Sequence, residues 1–161
     1  MKSSFKFWRF IQLMYFTVII LNELQVNKFI GVDIGGTNTK IGIVSRDGEL
    51  LEKVKYPTAD LFHGEGYIKN FSILLKDLLE ANPEIKKIGI GVPGLITKDR
   101  RSLLRLANIP SLSGANILDQ LESLLPGYDF ALENDANAAC LGEFYFSEHN
   151  LPSTFLMVTL G

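Results

Sequence analysis

Hydrophobic and polar positions follow two periods along this chain. Residues 29–34, 39–45 and 50–56 are short runs rich in Ile, Val and Leu, and each predicts a strand. Arg46-Asp47-Gly48-Glu49 is a hairpin signal, so the three strands form an antiparallel meander. Over 66–81 the apolar residues Ile68, Phe71, Leu74, Leu75, Leu78 and Leu79 line one face of a helix, which Asn82-Pro83 ends. A fourth strand is predicted over 87–92, turning out at Pro93-Gly94. A short helix over 116–125, a fifth strand over 128–132 and a helix over 134–146 follow. A last apolar run, 155–160, predicts a further strand. The order β-β-β-α-β-α-β-α-β implies an α/β fold, a mixed sheet covered by helices, five-stranded before the last run is added.

The first 27 residues break this pattern. Lys2, Lys6 and Arg9 precede an apolar run over 10–21, interrupted only by Gln12 and Thr17. The run is short for a transmembrane helix, which takes roughly 20 residues. It has the basic and apolar regions of a signal peptide but no small-residue cleavage site. The preferred reading places residues 1–27 outside the functional fold, which begins at Lys28. A membrane partner is expected only if that segment is made.

Composition narrows the classes. The chain has 161 residues, 47% hydrophobic and 21% charged, with a formal net charge of −2. One domain is expected, with no electrostatic reason to expect nucleic acid or a membrane surface as partner. A single cysteine, Cys140, rules out an internal disulfide and a Cys-x-x-Cys metal site, which fits a reducing compartment.

Three segments carry candidate chemistry. Gly31-Val32-Asp33-Ile34-Gly35-Gly36-Thr37-Asn38-Thr39-Lys40 joins two strands through a Gly-Gly turn. Such a turn points backbone N–H groups into a concavity that suits phosphate. Gly35 and Gly36 allow close approach and positive φ, and Thr37 and Asn38 add donors. Asp33, at the strand end, can hold Mg²⁺ directly or through water. A ligand-free hairpin is the alternative. Gly89-Ile90-Gly91-Val92-Pro93-Gly94 matches G-x-G-x-x-G, but no helix opens at its last glycine, so a dinucleotide site is not expected. Gly94 could instead let a substrate approach the backbone. In Glu133-Asn134-Asp135-Ala136-Asn137-Ala138-Ala139, polar residues crowd a strand-to-helix corner. An N-cap needs only one of them. Asp135 is the best general-base candidate, kept ionised by the helix N-terminus, with Asn134 beside it. Asn108-Ile109-Pro110 alone reads as an ordinary turn. His63 and His149 read as surface residues, and Cys140 as a core residue.

Together these motifs resemble the ROK family of sugar kinases, within the actin and hexokinase superfamily of ribonuclease-H-like folds. The resemblance covers 28–161. Residues 31–40 look like the family's first phosphate motif, 89–94 its sugar-side turn, 106–110 its sugar-proximal loop and 133–139 its catalytic segment. It implies ATP-dependent phosphorylation of a sugar hydroxyl (glucose or an N-acyl-hexosamine) in the cytoplasm, by a homo-oligomer when full-length. Asp135 would be the base. Gly94, Asn108, Asn134 and Asp135 would contact the sugar. Asp33, Gly35, Gly36, Thr37 and Asn38 would serve Mg²⁺ and the ATP phosphates. Residues 155–161 are similar to the start of a second phosphate motif. The family's zinc ligands, further sugar ligands and adenosine pocket would lie beyond Gly161. The chain is therefore expected to be an N-terminal lobe, inactive alone. A ROK-type transcriptional regulator or a non-catalytic binding remnant is the alternative.

Overall fold

In the computed structural model, residues 27–147 and 151–158 are described. A five-stranded sheet runs in the order β3-β2-β1-β4-β7, with β1 Lys28–Ile34, β2 Asn38–Ser45, β3 Leu50–Pro57, β4 Lys87–Val92 and β7 Asp129–Asn134. The first three strands form the expected antiparallel meander. β4 pairs parallel with β1, and β7 parallel with β4. A two-stranded hairpin, β5 Leu95–Ile96 with β6 Leu103–Arg105, stands after β4. The helices are α1 Tyr67–Ala81, α2 Ile117–Leu124 and α3 Asp135–Phe146.

The strands' composition explains their places. β4 is buried throughout and β1 nearly so, as central parallel strands must be. Ile30, Val32, Ile34, Ile88, Ile90 and Val92 face α1 and α2, whose Phe71, Leu75, Leu79 and Leu121 complete the main core. Each such fully buried side chain contributes about 2 kcal/mol. A row of small residues, Gly42-Gly31-Gly89-Ala131, crosses the sheet in register. α3 packs against its end, Ala138 on Ala131.

Two expectations change. The run at 155–158 is not a strand: no strand lies beside it among the described residues, so its backbone has no ladder to join. Leu156 and Val158 are exposed, and Phe155 stacks on Phe144 of α3, ring centroids 5.9 Å apart. Residues 159 and 160 of that predicted strand lie outside the described residues, as do residues 1–26 and His149. Cys140 is only half-buried, not a core residue.

Candidate functional site

Because β1, β4 and β7 are parallel neighbours, their C-terminal ends share one edge of the sheet. Three segments leave there: the Gly35-Gly36 turn after β1, the Pro93-Gly94 turn after β4, and Asn134-Asp135 after β7. With strands about 4.8 Å apart, the first and third flank the second and lie roughly 10 Å from each other. Open α/β sheets bind ligands along such an edge.

The Gly-Gly turn is narrower than expected. Gly35 N–H donates to Asn38 O at 3.0 Å, so it is spent on the turn itself. Gly36 and Thr37 are exposed, and among the described residues nothing accepts from their N–H groups. Neither Gly35 nor Gly36 takes positive φ. Close approach is what a side chain would disturb here: a Cβ on Gly35 would lie 2.8 Å from Asn38 O, and one on Gly36 3.0 Å from Asn108 Cβ and from Asn108 O. The turn and the Asn108 loop therefore touch. Asp33 is half-buried at the end of β1, where Lys40 Nζ donates to its Oδ2 at 2.5 Å. Its Oδ1 has no donor among the described residues. The hairpin's symmetry carries the signal for this pair, because a turn centred between Gly36 and Thr37 puts residue 33 opposite residue 40.

The polar corner after β7 is a more elaborate cap than one residue supplies. Asn134 is the N-cap of α3, its Oδ1 accepting from Ala136 N at 3.0 Å and Asn137 N at 3.1 Å. Its Nδ2 donates to Gly94 O at 3.0 Å. Glu133 is buried, and its Oε1 accepts from Asn134 N at 2.8 Å and Asn137 Nδ2 at 3.1 Å. Arg100 Nη1 lies 3.1 Å from Glu133 Oε2. Glu133 and Asn137 thus serve the cap, and Asn134 keeps one N–H for a ligand. Asp135, half-buried at the first position of α3, accepts from Ala136 N at 2.9 Å.

Gly94 is also held tightly by the fold. A Cβ there would lie 2.3 Å from Arg105 O and 3.1 Å from Leu106 Cα. Its lack of a side chain is demanded by the β5–β6 hairpin before any ligand arrives. Gly94→Ala is expected to cost about 1–3 kcal/mol by pushing that hairpin off the edge. Chemical denaturation measures this, and a change below 0.5 kcal/mol would show that the contact is soft.

Behind the turn lies a feature with no local signal in the sequence. Thr39, Thr58 and Tyr67 are buried together, their hydroxyls 3.1 Å (Thr39 to Thr58) and 2.8 Å (Thr39 to Tyr67) apart. Burial pushes the Tyr67 phenol well above its usual range. The Thr39 bond opposes this, and the Asp33 charge adds to it. The phenol stays protonated. His63 is exposed, as expected. Among the described residues no cluster of three or more His, Cys, Asp or Glu suits a metal, and no helix is long and apolar enough to cross a membrane.

The sheet order, three antiparallel strands followed by two parallel ones, is that of the actin- and hexokinase-like fold. The chain belongs to the ROK family, whose profile matches residues 29–161. It is 34% identical over 134 residues to a glucokinase of Thermotoga maritima, covering 83% of this chain and 42% of the relative. It is 29% identical over 133 residues to an N-acetyl-D-glucosamine kinase of Haemophilus influenzae, covering 83% and 43%. A ROK family glucokinase from Streptomyces griseus, solved in complex with glucose and AMPPNP, superposes with a TM-score of 0.64 at 31% identity, covering 74% of this chain and 36% of that one. The chain thus spans about two fifths of the length of these relatives.

Proposed function

We propose that this chain is the N-terminal lobe of an ATP-dependent sugar kinase that phosphorylates a hydroxyl of glucose or of an N-acyl-hexosamine. The observation that carries this reading is the convergence of the Gly36 turn, Gly94, Asn108 and Asn134-Asp135 on one sheet edge in a ROK family member. The relatives' glucokinase and N-acetylglucosamine kinase activities support the substrate class. The AMPPNP complex, which holds an ATP analogue, supports the nucleotide.

The residues divide the work. Asp135 accepts the proton of the sugar hydroxyl as its oxygen bonds to the γ-phosphorus. The bond from that phosphorus to the β,γ-bridging oxygen breaks, and ADP leaves. Asn134, held by Gly94 and by the cap, and Asn108, whose side chain has no hydrogen-bond partner among the described residues, orient the sugar. The N–H groups of Gly36 and Thr37, with the Asn38 side chain, face the phosphates. Asp33 fits Mg²⁺ held through water, because one carboxylate beside phosphate oxygens is that ion's ordinary protein contribution and Oδ1 remains available. Bound there, Mg²⁺ would neutralise charge on the phosphate oxygens. Asp33's pairing with Lys40 holds the carboxylate at the end of β1.

One lobe supplies one wall of a cleft, and phosphoryl transfer needs both reactants clamped in a drier space. Turnover is accordingly assigned to the full-length protein. Its ADP release with Mg-ATP should depend on glucose or an N-acyl-hexosamine. Sugar binding without sugar-dependent ADP release would favour a sugar-sensing regulator instead.

A further inference from the structure

We propose that the Gly36 amide is aimed and strengthened from behind by a one-way chain of buried hydroxyls, Tyr67 to Thr39 to Thr58, ending on the Gly35 carbonyl. The inference rests on reading residues 35–38 as a phosphate site, and it makes Thr58 a positioning residue.

The direction of the chain follows from counting protons. A hydroxyl has one proton to donate. Thr58 gives its proton to Gly35 O at 2.6 Å. At the contact between the two threonines, Thr39 must therefore be the donor. Its proton is then spent, so Tyr67 donates to Thr39. The three residues are 0–3% exposed, so water does not compete. The protonated Tyr67 phenol suits the head of the chain.

The end of the chain matters for function. In a planar trans peptide, the Gly35 carbonyl and the Gly36 N–H point in opposite directions. Holding that carbonyl inward on Thr58 turns the Gly36 N–H outward, on the exposed side of the turn. Aligned hydrogen bonds polarise one another, and an amide whose oxygen accepts a short bond is a better donor at nitrogen. Thr58 also donates its own N–H to Thr37 O at 3.0 Å, so one residue grips the turn at two carbonyls. It sits in the 3-10 turn Thr58–Phe62 after β3, and Tyr67 opens α1, so the chain joins the phosphate turn to elements well away from it in sequence.

The test follows the ¹⁵N–¹H resonance of Gly36 while Mg²⁺ and AMPPNP are titrated into the unaltered chain and three variants. In the unaltered chain the resonance should move downfield. Thr58→Val should weaken the response about tenfold in midpoint. Thr58→Ser, which keeps the donor, should stay within about twofold. Tyr67→Phe, which removes only the head of the chain, should weaken it about threefold. Equal midpoints for Thr58→Val and the unaltered chain overturn the inference and leave the phosphate site standing. Equal losses in Thr58→Ser and Thr58→Val also overturn it, because a side chain that keeps the hydroxyl would then serve no better than one that lacks it. If Thr58→Val does not fold, Tyr67→Phe decides, and an unchanged midpoint there overturns the proposal. No response in the unaltered chain at any concentration overturns the phosphate site and the inference together.

Discussion

Asp135→Asn in the full-length protein is expected to lower kcat by about 10³-fold while changing the KM for sugar by less than about threefold. Asparagine keeps the size and the polarity, so the cap of α3 and the Asn134 bridge to Gly94 should survive. What it lacks is a site for the proton of the attacking hydroxyl. In a loose phosphoryl-transfer transition state that proton moves late, so positioning retains part of the rate. The lost factor is therefore large but finite. Steady-state kinetics with both substrates varied separate the outcomes. A kcat within tenfold of the unaltered enzyme would remove Asp135 from the role of base. A collapse of sugar binding with kcat intact would make it a binding residue only.

Arg100→Ala is expected to destabilise the fold by about 3 kcal/mol, because it leaves the Glu133 carboxylate buried without its cation. The figure sits at the low end of the range for broken buried pairs because Arg100 itself is 51% exposed and water can reach its side of the contact. For a chain of this size the change corresponds to a fall in Tm of roughly 6–12 °C. Arg100 also has φ +58, unfavourable for a residue with a side chain. Arg100→Gly should therefore be less destabilised than Arg100→Ala by about 1 kcal/mol, although it loses the same ion pair. Adding Glu133→Gln to Arg100→Ala should recover part of the loss, since no buried charge then remains. Thermal unfolding of the four proteins tests the set. A loss below 0.5 kcal/mol in Arg100→Ala would mean that the pair behaves as a surface salt bridge. The pair matters for the site because Glu133 holds the Asn134 N–H and the Asn137 side chain, and so the corner from which Asp135 projects.

Periodicity alone made the sheet and its helices legible. β1, β4 and β7 are dense apolar runs bounded by turn residues, and α1 repeats its apolar face over four turns. The edge that gathers the site follows from that order, since strands joined by helices run parallel. The Asp33–Lys40 pair was not read, although the symmetry of its hairpin carries the signal. The β5–β6 hairpin was not legible, because two- and three-residue strands show no period. Glycine at position 36 is expected from the sequence to allow positive φ and the close approach of a ligand, whereas what it meets is Asn108, distant in sequence and adjacent in space. Thr58 carried no mark at all, since a threonine after a strand is commonplace and only the fold brings it to the Gly35 carbonyl. The run at 155–158 misled for the opposite reason. Its residues favour a strand, but a strand exists only beside another one.

The proposed reaction is the transfer of phosphate to a sugar at this sheet edge, with Asp135 as base. The most direct measurement follows ³¹P resonances over time in mixtures of Mg-ATP, a hexose and the full-length protein, unaltered or carrying Asp135→Asn. A sugar phosphate should appear with ADP from the unaltered protein, and almost none from the variant over the same period. No sugar phosphate from the unaltered protein with glucose or any N-acyl-hexosamine, or equal rates from the two proteins, would contradict it.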